Sequence, residues 1–307
     1  MFLSIWAGEM SGKTVSSAIL ILVIGNFFAT LCDVFIKMVG SSMSAYQFTL
    51  MRLVMICLIL LPLAYKHINF KGEVGLKLHV LRGNLWVLAS ILLIISLSQL
   101  PLATANAVFY IAPILIVLFA GIFFKEKITT GIVIAACSGF VGVLIILRPS
   151  EVSWGMISAV SFSVLLATNS LLIRKLPKNQ NLFFGLLITH VSALPLTAGL
   201  ALWENGPWHF SGLIYAGASA VCAMIYSLAC LQGYRYVASS QVSSAEYSGL
   251  LFAVILGWVV FHESIDFFLV IGALFIIVPL AYLSHRDRRK RKAEECLSVA
   301  RSQLDAG

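Results

Sequence analysis

The sequence predicts an all-α polytopic membrane protein with ten transmembrane helices arranged as two inverted five-helix repeats. Three observations carry this: the hydrophobic composition with its succession of long apolar stretches, the one-sided placement of Lys and Arg, and an internal similarity at fixed spacing. Of 307 residues, 60% are apolar and 11% charged, with a mean hydropathy of +0.97. Soluble domains carry roughly a quarter charged residues, so that class is excluded.

An apolar run of about 18–25 residues spans the roughly 30 Å hydrocarbon core at 1.5 Å per residue. Ten such runs follow one another: Val15–Val39, Tyr46–Tyr65, Gly83–Leu100, Leu102–Phe124, Thr130–Leu147, Trp154–Ile173, Leu182–Leu202, Phe210–Gly233, Ser239–Phe261 and Ile265–Leu283. Each must satisfy its own backbone polar groups in lipid, which makes them helices. The first is too long for a signal-peptide core and has no convincing cleavage site, so it is expected to be retained. Pro101 almost alone separates spans three and four, and Pro113 inside span four removes a backbone donor and should bend it. Span five carries the small residues Ala135, Gly139 and Gly142, which allow close helix approach within the chain or across a dimer. Pro149 ends that span. The segmentation is then an N-terminal segment 1–14, a first repeat 15–147, a linker 148–153, a second repeat 154–284 and a basic tail 285–307.

The cations give an independent test. With the N-terminus inside, 18 of the 21 Lys and Arg fall in cytoplasmic segments or at cytoplasmic helix ends; only Arg148 lies in an outer loop, while Lys37 and Arg52 sit inside spans. This bias sets both termini in the cytoplasm and makes the net charge of +8 an orientation signal rather than a nucleic-acid footprint. The expected location is the inner membrane. The run Arg286–Lys292 is a stop-transfer flank or a contact to anionic lipid. The six cysteines form no CxxC pair, so no metal site or disulfide framework is expected. No cofactor motif is present.

The repeat appears in two segments with similar endings, ATANAVFYIAPILIVLFAGIFFKE (103–126) and SQVSSAEYSGLLFAVILGWVVFHE (240–263). Aligning Glu126 with Glu263 sets an offset of 137 residues, which also brings Lys37 onto Arg174 and Arg52 to within one residue of His190. Five spans per half is odd, so the second half enters the membrane upside down. Many secondary transporters build a central site that opens to either side in this way. No ATP-binding P-loop is present, so energy would come from a gradient or from exchange. An intramembrane enzyme is the rival reading, with a membrane sensor as a third. Against an enzyme, there is no GxSxG, and His262-Glu263 continues as Ser264-Ile265-Asp266 rather than as HExxH.

The segment from Arg82 to Pro149 (RGNLWVLASILLIISLSQLPLATANAVFYIAPILIVLFAGIFFKEKI…GFVGVLIILRP) resembles the EamA-type transporters of the drug/metabolite transporter superfamily. The second-half stretch GYRYVASSQVSSAEYSGLLFAVILGWVVFHE is similar to that family's passage from helix eight to helix nine. The likeness spans about residues 15–284. It implies a pocket between the halves, lined by spans one to four and six to nine, with five and ten peripheral. It implies a small-molecule cargo, the family's range including amino acids, amines, sugars, nucleotide-type metabolites and S-adenosylmethionine. Leu250 departs from the first-half pattern, standing where the offset places Pro113.

Charges within spans cost about 2.5–3.5 kcal/mol each at a helix centre, so they mark candidate sites. Glu246, followed by Tyr247, sits about seven residues into span nine; its carboxylate either binds a cationic group or a coupling proton, or is a buried acid held by a neighbouring helix. Asp33 and Arg52 lie at similar depth in spans one and two, with Lys37 one turn beyond Asp33 on the same helix face. They form either a vestibule that reads both ends of a zwitterion or a self-neutralising cluster joining two helices. His190, near the middle of span seven, is a proton relay or a packed core histidine. Asn106 and Tyr110, one turn apart on span four, are candidates to orient a substrate, and Trp86 to stack on one. Glu126 and Glu263 end spans four and nine and read as interfacial anchors. The expected function is secondary transport of a small amine-bearing metabolite, by a monomer or homodimer.

Overall fold

The computed structural model describes residues 15–40, 42–67, 75–125, 130–147, 153–173, 175–177, 180–235, 245, 248–279, 281–282 and 285. All regular structure among them is helical: α1 Val15–Val39, α2 Ala45–Ala64, α3 Leu76–Gln99, α4 Leu102–Phe109, α5 Ala112–Phe124, α6 Thr130–Leu147, α7 Trp154–Ile173, α8 Leu182–Trp203, α9 Leu213–Arg235, α10 Ser248–Phe261 and α11 Phe267–Pro279. Seven helices, with α4 and α5 taken as one, are long and apolar enough to cross a membrane. Three shorter apolar helices, Ala136–Ile146, Ser248–Phe261 and Phe267–Pro279, fall where the sequence predicts spans five, nine and ten.

The expected bend in span four is a full break. Helix α4 stops at Phe109, Tyr110 takes φ −66 and ψ −3, and α5 restarts with Pro113 in its first turn. Proline has no N–H to return to the preceding turn, so the break falls just upstream of it and α5 uses the ring where a helix tolerates it.

Packing runs mainly between the halves and is reciprocal. Helix α1 packs on α9 as α7 packs on α3; α2 meets α9 as α8 meets α3; α1 touches α10 as α7 touches α4 and α5. Helices α2 and α8 meet directly, as do α4 and α10. Two non-glycine residues 137 positions apart, Lys125 and His262, close α5 and α10 in the same left-handed conformation, with φ 55 and 53. The duplication is therefore visible in backbone geometry as well as in sequence.

The central core gathers Ile36, Phe48, Leu97, Leu102 and Val108, all essentially inaccessible. Large apolar side chains also cover the outside, with Ile214 80% and Phe123 70% exposed. A soluble monomer rarely shows so much apolar surface; a lipid-facing bundle requires it. The small-residue face of α6 is used within the chain. A Cβ at Gly142 would press on the carbonyl of Gly272 and on Ile276, and Ser138 donates to the Phe275 carbonyl at 2.8 Å. Close approach of α6 to α11 thus accounts for Gly142, and its approach to Ile114 of α5, whose Cδ1 would lie 2.5 Å from an added Cβ, accounts for Gly139, without a second copy.

Candidate functional site

Asp33 on α1 and Arg52 on α2 are both half-buried, and the guanidinium acts through space on Asp33, Cys32, Cys222 and His190. One turn of α4 supplies Asn106, whose amide donates to Asp33 Oδ2 at 3.1 Å and to the Leu102 carbonyl at 3.2 Å. Arg52 Nη2 donates to Cys32 Sγ at 3.4 Å, and its Nε is buried with no acceptor. Asp33 and Arg52 are neighbours but do not form an ion pair within 4.0 Å. A carboxylate and a guanidinium held near each other with spare valence offer an ammonium acceptor and a carboxylate donor together. His190, on α8, accompanies them and spends Nδ1 on the Leu186 carbonyl at 2.7 Å.

Lys37 follows Asp33 by one turn but is engaged elsewhere. Its Nζ lies 3.2 Å from Glu263 Oε1, the single ion pair among the described residues, with the two side chains 15% and 14% exposed. The self-neutralising Asp33–Lys37–Arg52 cluster is therefore not formed, and Glu263 is a partner in the bundle rather than an interfacial anchor. The reason lies in the corner between α3 and α4. Lys37 Nζ donates to the carbonyls of Leu97 (3.1 Å) and Leu100, while Glu263 Oε2 accepts from the Leu102 N–H at 2.7 Å. A helix leaves carbonyls unpaired at its C-terminus and N–H groups at its N-terminus. Here the cation serves the end of α3 and the anion the start of α4, and the ion pair joins both to the end of α10. Phe261 adds a ring 5.4 Å from Nζ.

The start of α10 is fastened to α1 and α4. Asn26 donates to the Ala245 carbonyl at 2.9 Å, Thr30 to the Gly249 carbonyl at 3.2 Å, and Tyr110 accepts from the Leu250 N–H at 3.1 Å. An added Cβ at Gly249 would lie 2.6 Å from the Tyr110 hydroxyl, so this approach needs a glycine. Glu246 and Tyr247 lie between these anchors in sequence and outside the described residues, as does Glu126. Trp86 is half-buried against the central core.

Sequence reasoning missed a third polar group. It counted Arg82 among the cations of cytoplasmic segments or helix ends, just before a span starting at Gly83, whereas α3 begins at Leu76 and carries His79 (0% exposed) and Arg82 (5% exposed) into the interior. Arg82 Nε donates to Asn169 Oδ1 and Asn169 Nδ2 returns to the Arg82 carbonyl, both at 3.0 Å. The His79 ring is held by Thr189 at 2.7 Å and Gln180 at 2.9 Å. The i, i+3 spacing of His79 and Arg82, one helix face, was the available signal. No group of His, Cys, Asp and Glu among the described residues has metal-binding geometry.

The model of the EamA-like transporter family matches twice, over residues 16–148 and 150–284. The S-adenosylmethionine uptake transporter of Rickettsia felis is 23% identical, over 84% of this chain and 88% of that protein. Solute carrier family 35 member G1 of Mus musculus is 26% identical over 83% of this chain and 75% of its own length. The riboflavin transporter of Vibrio cholerae is 26% identical, over 70% and 74%. A crystal structure of a protein superimposes with TM-score 0.57 at 17% identity, covering 89% of this chain and 98% of that one, a likeness of fold alone. The paired match across both halves, on a bundle with a lipid-compatible surface, assigns this multi-pass membrane protein to the EamA-like transporter family.

Proposed function

We propose that the chain is a secondary transporter of a small zwitterionic metabolite, an amino acid or an S-adenosylmethionine-like derivative. It works by alternating access between two inverted five-helix halves, with ten spans, both termini in the cytoplasm of an inner membrane, and proton coupling or exchange as the drive. What carries the cargo class is the pair Asp33 and Arg52, opposite charges on facing helices that stay unpaired within 4.0 Å. A carboxylate and a guanidinium with no other purpose would collapse onto each other in a low-dielectric interior. Kept apart, they match the ammonium and carboxylate of one solute, with Asn106 fixing Asp33 and His190 beside Arg52.

Reciprocal packing of the halves supports the inversion, since each half's first helix rests on the other's third. In this arrangement the Lys37–Glu263 node closes the outer end of the seam, and release of that node opens it. Glu246 is the coupling group, flanked in sequence by Ala245 and Ser248, both of which accept from Asn26 of α1.

Counterflow in proteoliposomes tests the reading. Vesicles preloaded with S-adenosylmethionine or with a single amino acid are expected to accumulate the labelled compound unchanged. Asp33→Asn and Arg52→Gln should each lower that flux at least about tenfold, the loss of one charge-assisted contact. Undiminished flux in both variants, or chemical conversion of the compound, would overturn it.

A further inference from the structure

We propose that Arg82 is a second binding station for the anionic group of the transported solute, separate from the Asp33–Arg52 position. The assignment deepens the transporter reading and rests on it.

Arg82 carries a permanent charge and is 5% exposed, yet among the described residues its side-chain partner is the neutral Asn169, itself 2% exposed. No carboxylate among the described residues lies within 4.0 Å of it. A cation sealed into a bundle without a counter-charge is expensive, and a structural one is ordinarily matched by an acid. The surrounding charges add to the imbalance. Arg82 acts through space on His79 and on His190, which also feels Arg52. Arg52 has Asp33 as a neighbour, whereas no described acid forms an ion pair with Arg82.

Asn169 holds Arg82 at two points, one on the guanidinium and one on the backbone. Its Oδ1 occupies Nε and its Nδ2 holds the Arg82 backbone carbonyl, leaving the two terminal amino groups as a fork that matches an oxyanion. His79 is already held by Thr189 and Gln180. A lipid phosphate is the competing source. Leu81, the adjacent residue, is 48% exposed on the lipid side, while Arg82 turns inward to α7, which favours the solute. Along α3, Arg82 stands about 22 Å from Leu97 at the opposite end. A solute leaving Arg52 would therefore meet a second cation on its way to the cytoplasm.

Thermal unfolding of the purified full chain, titrated with inorganic phosphate against chloride at constant ionic strength, tests this without knowledge of the cargo. The Arg52→Gln background removes the first cation from the measurement. There, phosphate should raise the midpoint saturably by about 2–4 °C, and adding Arg82→Gln should abolish the rise. Asn169→Asp supplies a built-in counter-charge while keeping the acceptor. It should raise the midpoint in the absence of phosphate and remove the phosphate response, which covers the case in which Arg82→Gln does not fold. Absence of a phosphate-specific rise, or its persistence in Arg82→Gln or Asn169→Asp, overturns the proposal. So does stabilisation by phosphatidylglycerol nanodiscs to which free phosphate adds nothing, since that assigns the site to lipid. Failure of counterflow with an intact phosphate response would instead refute the transporter reading alone.

Discussion

Replacing Glu263 by Gln should open the end of the bundle that Lys37 and Glu263 hold together, and the structure sets the size of the effect. At 3.2 Å and an effective dielectric of about 20, the pair attracts by roughly 5 kcal/mol before desolvation. Exposed pairs net below about 1 kcal/mol, and breaking a buried one costs about 3–5 kcal/mol. At about 15% exposure, Glu263→Gln should cost roughly 2–3 kcal/mol, about a 30- to 150-fold rise in the open fraction. Glutamine keeps an oxygen for the Leu102 N–H; Glu263→Ala loses that contact too and should be more severe. Cys32, buried at 4% and just over one turn from Lys37, reports the opening. With every other cysteine replaced, its labelling rate by a small water-soluble thiol reagent should rise by that factor. The exchanged pair Lys37→Glu with Glu263→Lys should fail to restore protection. It would aim a carboxylate at the Leu97 and Leu100 carbonyls and an ammonium at the Leu102 N–H. Unchanged labelling in Glu263→Gln, or full rescue by the exchange, would refute this account of the node.

Gly257→Ala should reproduce much of the Glu263→Gln phenotype without touching a charge, because its Cβ would lie 2.6 Å from Glu263 Oε2; the same Cys32 labelling rate checks it. Asn26→Ala should loosen the start of α10 by about 1 kcal/mol, since it removes the α1 donor to the Ala245 carbonyl and leaves that of Ser248 at 2.7 Å, measured as a lower unfolding midpoint. Gly142→Val should separate α6 from α11 and lower the midpoint further, by the cost of overpacking a tight crossing, about 1–3 kcal/mol. Tyr110→Phe leaves the Leu250 N–H without its acceptor and should cost about 1 kcal/mol while preserving the helix break, which depends on Pro113.

Much of the fold was legible from residues alone. Helices α1, α2, α6 and α7 begin and end within a residue of the apolar runs, because in lipid hydropathy and helix length answer to one constraint, the membrane thickness. The break in span four was legible because proline acts locally. The start of α3 was misjudged by seven residues, Leu76 instead of Gly83. A hydropathy reading takes basic residues at the edge of an apolar run as its flank, and it has no means of seeing that Asn169 receives Arg82 or that Thr189 and Gln180 receive His79.

The candidate site divides in the same way. Asp33, Lys37 and Arg52 stood out because ionisable groups are costly inside an apolar run, wherever their partners are. The sequence alone thus determined the helical class, the duplication at an offset of 137 and the presence of intramembrane charge. Only the tertiary structure decided how those charges are used: Lys37 bound to Glu263, Asp33 held by Asn106, Arg52 and Arg82 in no ion pair among the described residues. Pairing depends on distances between helices far apart in the chain, and burial makes each such choice worth several kcal/mol, whereas hydropathy and repeat spacing are properties of the chain read in one dimension.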